Sequence, residues 1–382
     1  MDFALTEEQK LLQHSLERLF ADRYAFEERK RYAQEPGGFS HALWKQYAEL
    51  GLLGLPFDEQ YGGSGGGPVE TMIVMEQIGR ALALEPYLAT VVLGGGLLRL
   101  GGSEKTRAEL MPLIAGGELM LAFAHAERQA RYDLADVATT ARRDGTGYVL
   151  NGAKSLVLNG DSAQKFVVSA RLSAGQRDRN GLALFLVDAK APGVSVRGYG
   201  TVDGLRGAEV TLAGVRADAA AVIGEPGAAY PLIELVADQA MAALAAEAVG
   251  AMAAAHETTV DYMKTRKQFG VTIGSFQALQ HRAAEMLVAV EQARSMAMLA
   301  TMMAAEDNVR ERRQSISAAK VQIGQSGRFV GQESIQIHGG IGMTMEAKVG
   351  HYFKRLTIID KLFGDADYHL GLVAAGGGLV AA

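Results

Sequence analysis

The chain of 382 residues contains no cysteine, so it has no disulfide frame, no thiol nucleophile and no Cys-ligated metal site. Its eight histidines show no H-x-H or H-E-x-x-H spacing, and a metal centre is therefore not expected. Excess positive charge is missing too. A net charge of −5, a pI near 6.0 and the absence of a long Lys/Arg cluster argue against nucleic acid as a partner. No apolar run approaches the roughly 20 residues that a membrane span requires. The start, Met1-Asp-Phe-Ala-Leu-Thr-Glu-Glu8, lacks the basic and apolar regions of a signal peptide. A cytoplasmic protein with no membrane partner is the expectation. What remains is a globular composition, 48% hydrophobic and 21% charged, on a chain long enough for two or three domains with ample core.

The hydrophobic period changes twice along the chain. Thr6-Glu-Glu-Gln9 is a capping-box pattern, followed by Leu11, Leu12, Leu16, Leu19 and Phe20 at helical spacing. Helical patterns recur over Ala42–Leu50, Glu70–Leu84 and Lys105–Ala115. Gly62-Gly-Ser-Gly-Gly66 formally matches a G-x-S-x-G hydrolase elbow, but Pro56–Tyr61 before it is a polar loop and not the strand such an elbow needs; a flexible turn is the better account. From about Leu119 the period becomes two: Gly147–Gly152, Ser155–Leu158, Lys165–Ala170, Leu182–Val187 and Gly207–Leu212 read as short strands. Turn signals such as Asn151-Gly152 separate them. Helical patterns return after Pro231, in a segment of roughly 40 residues to Phe269, then Ser275–Asp307, Gln314–His338 and Val349–Leu362. Met296, Met298, Met302 and Met303 read as core filling, and Gly376–Ala382 as a fraying tail. The predicted fold class is α+β and multidomain: an N-terminal helical domain (1–118), a middle antiparallel β-barrel or sandwich (119–226) and a C-terminal helical bundle (227–382).

Two stretches carry candidate chemistry. Tyr262–Gly270, continuing to Ser275-Phe276-Gln277, brings Arg266 and Lys267 to a helix end followed by an aromatic, a Gln and a turn. Such a corner can close on a diphosphate, for which Arg has a fixed fork of donors. The plainer account is a helix C-terminus with cations against its dipole and Gly270 as its cap. Gln332–Thr344 places Gln336 and His338 before Gly339 and Gly340, where a backbone without Cβ atoms can approach an anion closely. It matches neither a G-x-G-x-x-G fingerprint nor a P-loop.

Together, these stretches and the helical–β–helical order closely resemble the acyl-CoA dehydrogenase family over essentially the whole chain. The resemblance rests on the Tyr61-Gly-Gly loop, Asn151-Gly-x-Lys154, Arg266–Gly270 with Phe276-Gln277, and Gln336-Ile-His-Gly-Gly340. It is nearest to two-subunit members acting on dicarboxylyl-CoA thioesters such as pimeloyl-CoA. It implies tetramers that bind FAD, α,β-dehydrogenation of an acyl-CoA substrate, and electron delivery to an electron-transfer flavoprotein. Arg266, Gln268, Phe269 and Gln277 would contact the ADP end of a partner chain's FAD, with Gln336, His338, Gly339 and Gly340 closing over its pyrophosphate and adenosine. Asp238 would lie near the CoA or acyl chain.

The other half of the family's pattern is degraded. Of Thr-Glu-Pro-x-x-Gly-Ser-Asp only Glu127 and Asp133 remain, in Ala126–Asp133, and Trp-Ile-Thr has become Leu156-Val-Leu158. The Glu expected to abstract the α-proton is replaced by Phe363, while the variant position of the base carries Ala240 and the Arg usual beside it is Met241. Glu247 and Asp365 are substitute candidates, each with a plainer reading: an interhelical ion pair for the first, a cap for the second. The resemblance thus implies a small subunit donating an ADP cradle to a large catalytic partner in a heterotetramer. A self-sufficient homotetramer with a relocated base, an oxidase and a non-catalytic scaffold stay open.

Overall fold

The structure, a computed structural model, describes residues 4–377; of the Gly376–Ala382 tail read as fraying, Gly378–Ala382 lies outside the described residues. Helices open the chain: α1 (Glu7–Arg23), α2 (Phe26–Tyr32), α3 (His41–Glu49), α4 (Pro68–Ala81), α5 (Gly96–Gly101) and α6 (Glu104–Ala115). Eight strands follow, β1 (Leu121–Ala124), β2 (Thr140–Asp144), β3 (Gly147–Leu158), β4 (Lys165–Arg171), β5 (Leu182–Asp188), β6 (Val194–Gly200), β7 (Arg206–Ala217) and β8 (Val222–Gly227). The chain then returns to helix in α7 (Tyr230–Thr265), turns through the two-residue strands β9 (Lys267–Gln268) and β10 (Val271–Thr272), and ends in α8 (Gln277–Met303), α9 (Val309–His338), α10 (Lys348–Lys361) and α11 (Ala366–Ala375). This is the helical–β–helical architecture expected. Among the described residues no helix is long and apolar enough to cross a membrane.

Local chemistry explains the element starts. The capping box of α1 is formed: the Gln9 amide donates to the Thr6 hydroxyl at 3.2 Å and the Thr6 amide to the Gln9 side chain at 3.0 Å. Asn308 caps α9 through the amides of Arg310 and Glu311, so that helix starts at Val309 and not near Gln314. A π-helix, Leu88–Gly95, was not anticipated. Its glycines permit close contact, since a Cβ on Gly94 would lie 2.5 Å from the Leu121 side chain and one on Gly95 2.7 Å from Phe57.

Two compact units result. One comprises Tyr32–Gly67 and Leu84–Ala240. Its eight-stranded sheet runs β6-β7-β3-β2-β4-β5-β8, with β1 beside β4. The pairings are antiparallel except β1–β4 and β2–β4. Leu150, Phe166, Phe185 and Val210 lie in its core. Asn151-Gly152 corrects one expectation, for it does not separate two strands. β3 runs through it for 12 residues with a register shift at Leu150/Asn151. Gly152 is required because a Cβ there would fall 2.4 Å from the Thr139 hydroxyl, and the Asn151 side chain accepts the Gly214 amide at 2.8 Å. The dipeptide stitches a bulge.

The other unit comprises the chain up to Arg31, Pro68–Ala83 and Met241 onward. Here α4 and α7 meet backbone to backbone: a Cβ on Gly79 would sit 1.9 Å from the Glu247 carbonyl oxygen, and one on Gly250 1.9 Å from that of Glu76. Met296 and Met303 pack, with Phe363, against a cluster that includes Met241, Ala300, Ile316 and Ala319. Met298 and Met302, also expected as core, instead line a cavity.

Candidate active site

The cationic corner is built from a helix end and a hairpin. α7 stops at Thr265, and Lys267-Gln268 pair antiparallel with Val271-Thr272. Phe269 (φ 52°) and Gly270 (φ 82°) form the two-residue turn between them. Gly270 is thus the second residue of a hairpin turn that requires positive φ, not the helix cap of the plainer account. The turn throws Phe269 outward, 91% exposed, and its ring meets Phe276 edge-on at 6.1 Å. Arg266, Gln268 and Gln277 are exposed around it. Among the described residues no carboxylate pairs with Arg266.

The second stretch is tied to the first. His338 ends α9 with its ring stacked on Tyr262 of α7 at 4.3 Å and 21°, and the Tyr262 hydroxyl reaches the His338 carbonyl at 3.4 Å. His338 Nδ1–H donates to the Ser334 carbonyl at 2.8 Å, and burial holds the imidazole below its usual range, in the neutral form. His338 therefore braces the corner from inside, while Gln336, Gly339 and Gly340 face outward. Gly339 has φ 65° and ψ −143°, backbone that side chains disfavour. Gly340 has no such need: a Cβ there would meet nothing of this chain within 4 Å.

The position of the expected base lies elsewhere in the same unit. α10 ends at Lys361, and Phe363 follows at φ 60°. Buried Lys320 donates to the carbonyls of Ile359 at 2.8 Å and Leu362 at 3.0 Å, and burial lowers its ammonium to about 8. His369 Nε2 donates to the Phe363 carbonyl at 3.1 Å while its Nδ1 accepts from Ser317. The turn is well braced, yet it presents a phenyl ring packed among methionines. Glu247 is clamped: Arg355 donates to its two oxygens at 2.5 and 2.7 Å, with both side chains buried. Asp365 caps α11, accepting the Tyr368 amide at 3.0 Å and pairing with Lys361 at 3.1 Å. Asp238, on α7 in the sheet-containing unit, is fully buried.

Comparison with known proteins follows this geometry along the chain. Family models described as the N-terminal, middle and C-terminal domains of acyl-CoA dehydrogenase match residues 6–118, 122–215 and 235–378. The chain belongs to the acyl-CoA dehydrogenase family. The probable acyl-CoA dehydrogenase YngJ of Bacillus subtilis is 31% identical over 91% of each chain. Among solved structures, the ChsE4–ChsE5 complex of Mycobacterium tuberculosis aligns over 100% of both chains at 26% identity and TM-score 0.88. The FAD complex of PigA aligns over 99% of this chain and 100% of its own at 26% identity and TM-score 0.90.

An acyl-CoA dehydrogenase is an FAD-dependent oxidoreductase, so the donor set can be weighed against the two ends of that cofactor. The corner suits an ADP moiety: an unpaired guanidinium fork for phosphate, carboxamides from Gln268, Gln277 and Gln336, and aromatic faces from Phe269 and Phe276. Gly340 leaves open exactly the kind of space that a Cβ would fill.

The residues matching the family's ring-side pattern fit less well. β3 bulges between Lys154 and Val157, with Leu156 at φ 49° and 43% exposed. Neither Leu156 nor Leu158 has a side-chain donor. Glu127 is built into the fold: it accepts from Lys154 at 2.7 Å and from the amides of Ala138 and Thr139 at 2.8 and 3.0 Å. Burial alone would raise its carboxyl, but Lys154 and these hydrogen bonds take it down to about 2. Asp133 accepts the Ala135 amide at 2.9 Å, which is loop chemistry. The supports that sequence reasoning missed are Lys320, Arg355, His369 and the role of Tyr262. Their one signal was a charged or polar residue at a core-facing position of an apolar helix.

Proposed function

We propose that this chain is the small subunit of a two-subunit acyl-CoA dehydrogenase. It lends the ADP cradle of Arg266, Gln268, Phe269, Gln277, Gln336, Gly339 and Gly340 to FAD whose ring and catalytic Glu belong to a larger partner. One observation carries the reading: an exposed, unpaired cradle stands on a chain whose base position is Phe363, with its ring packed in an apolar cluster. Neither substitute carboxylate is placed to take its role. Both oxygens of Glu247 are taken by Arg355, and those of Asp365 by a helix amide and Lys361. The alignment with one chain of a heteromeric ChsE4–ChsE5 assembly supports the same division of labour.

Bound FAD supplies an acceptor for the hydride that leaves the substrate Cβ. This chain's residues would orient it: the Arg266 fork on the diphosphate, the Phe269–Phe276 pair against adenine, and the Gly339-Gly340 backbone close over the phosphates. His338 and Tyr262 hold these parts in register. A dicarboxylyl-CoA such as pimeloyl-CoA is the proposed substrate of the complex, and an electron-transfer flavoprotein its proposed oxidant, both on the resemblance alone.

The visible spectrum tests this directly. The chain purified alone is expected to be colourless, whereas co-expression with a candidate large acyl-CoA dehydrogenase subunit gives a yellow complex bleached by pimeloyl-CoA. Arg266→Ala should cut the flavin content of that complex at least tenfold at equal subunit yield. A chain that is yellow and bleachable alone defeats the small-subunit reading, and unchanged flavin in the Arg266 variant leaves only a scaffold.

A further inference from the structure

The cavity lined by Met298 and Met302, of about 440 Å³, lies among α1, α4 and α8, all within one unit. That volume is within the roughly 300–1,000 Å³ usual for small-molecule sites. One side of its wall is apolar and adaptable, with Met72 and Ile73 from α4, Met298 and Met302 from α8, and Leu5 just ahead of α1, and most of the rest is polar. Methionine walls reshape around varied guests. The α1 wall is pinned by Gln9, which donates to Glu70 at 2.7 Å.

Gln77 gives the cavity its chemistry. It lines the space and is only 5% exposed, yet among the described residues its carboxamide has no hydrogen-bond partner. A carboxamide that faces a cavity and has no partner within the chain is free to hydrogen-bond an occupant. The two charged residues in the wall are self-contained, because Arg294 bonds Glu76 at 2.6 Å and also faces Glu291 at 3.5 Å. A charged guest would upset that balance. A carboxamide offers a donor and an acceptor side by side, so it matches a head group that has both.

We propose that this cavity binds an uncharged amphiphile, its hydrocarbon body against the methionine walls and an amide- or hydroxyl-type head on Gln77. None of these residues belongs to the ADP cradle or to the base position, so the site is separate from both.

Octanamide, with octanoate as the charged control, tests it on the protein as isolated. Octanamide is expected to raise the Tm saturably by preferential binding to the folded state and octanoate not to. Gln77→Met should fold with an unchanged Tm, since no hydrogen bond within the chain is lost, and should bind octanamide at least tenfold more weakly. Met298→Trp, which fills the cavity, should abolish the Tm shift of the isolated chain while leaving the flavin content of the co-expressed complex unchanged. Equal binding of octanoate, full octanamide affinity in either variant, or a fall in Tm for Gln77→Met (as when only a structural water is held there) overturns the proposal.

Discussion

Glu247 shows how little a residue's type says about its task. A carboxylate in an Ala-rich helix of an acyl-CoA dehydrogenase invites assignment as a base, but Arg355 holds both oxygens with almost no solvent nearby. Removing one partner of such a buried pair costs about 3–5 kcal/mol, because the other is left charged and alone. Glu247→Gln should therefore lower the urea midpoint of unfolding sharply. Glu247→Met combined with Arg355→Met should recover most of the loss, since packed apolar side chains often replace a buried ion pair without penalty. A variant that keeps wild-type stability but loses activity would instead revive Glu247 as a base. Phe363 carries the complementary lesson: its backbone is braced by Lys320 and His369, and its phenyl ring has no proton-accepting atom.

Among elements, the hairpin after α7 is the most informative. Phe269 holds a positive φ that costs a non-glycine residue about 1–3 kcal/mol, and its ring is almost wholly in solvent. Phe269→Asn, better suited to that turn, should raise the chain's unfolding free energy by about 1 kcal/mol while weakening flavin retention in the complex. Denaturant unfolding and flavin content, measured on the same preparation, check both halves. The hairpin also marks where sequence reading stopped. Long helices were legible because α7, α8 and α9 run for 27 residues or more with no proline beyond the first turn. The two residues of β9 and of β10 are too short for a period, so Gly270 passed for a cap. Asn151-Gly152 carried the dipeptide of a turn but not its backbone, because Thr139, twelve residues earlier, decides what fits there. The cradle residues could be named from motif resemblance. Tyr262, Lys320 and Arg355 could not, since each acts on a segment 39 to 108 residues away.

At the scale of the whole molecule, both units carry a buried neutral imidazole. Burial, reinforced by the Lys154 charge, takes His125 down to about 3. Burial with the Lys320 charge takes His369 down to about 4. Below the ordinary value of 6.5 the unfolded chain binds protons at these positions that the folded chain refuses, so stability falls with pH. Each contributes about 1.4 kcal/mol per pH unit over its window, from 6.5 towards 3 or 4. Glu127 works in the same direction at lower pH: its contribution is complete above about 4.5 and is lost as pH falls towards 2. A Tm profile from pH 7.5 to 4 should decline from about pH 6.5, and His369→Gln should flatten part of that slope. A Tm that holds level to pH 5 would contradict this.

Where α4 crosses α7, the spacing is set by carbonyl oxygens against glycine α-carbons, with no side chain between them. A joint of that kind has no memory of what the neighbouring side chains do. Residues on α7 and at the end of α10 can turn over, a base lost here or an ion pair gained there, without altering the distance at which these helices meet. The architecture outlives its chemistry, and so a chain can shed a proton-abstracting group and still present an intact surface to a cofactor.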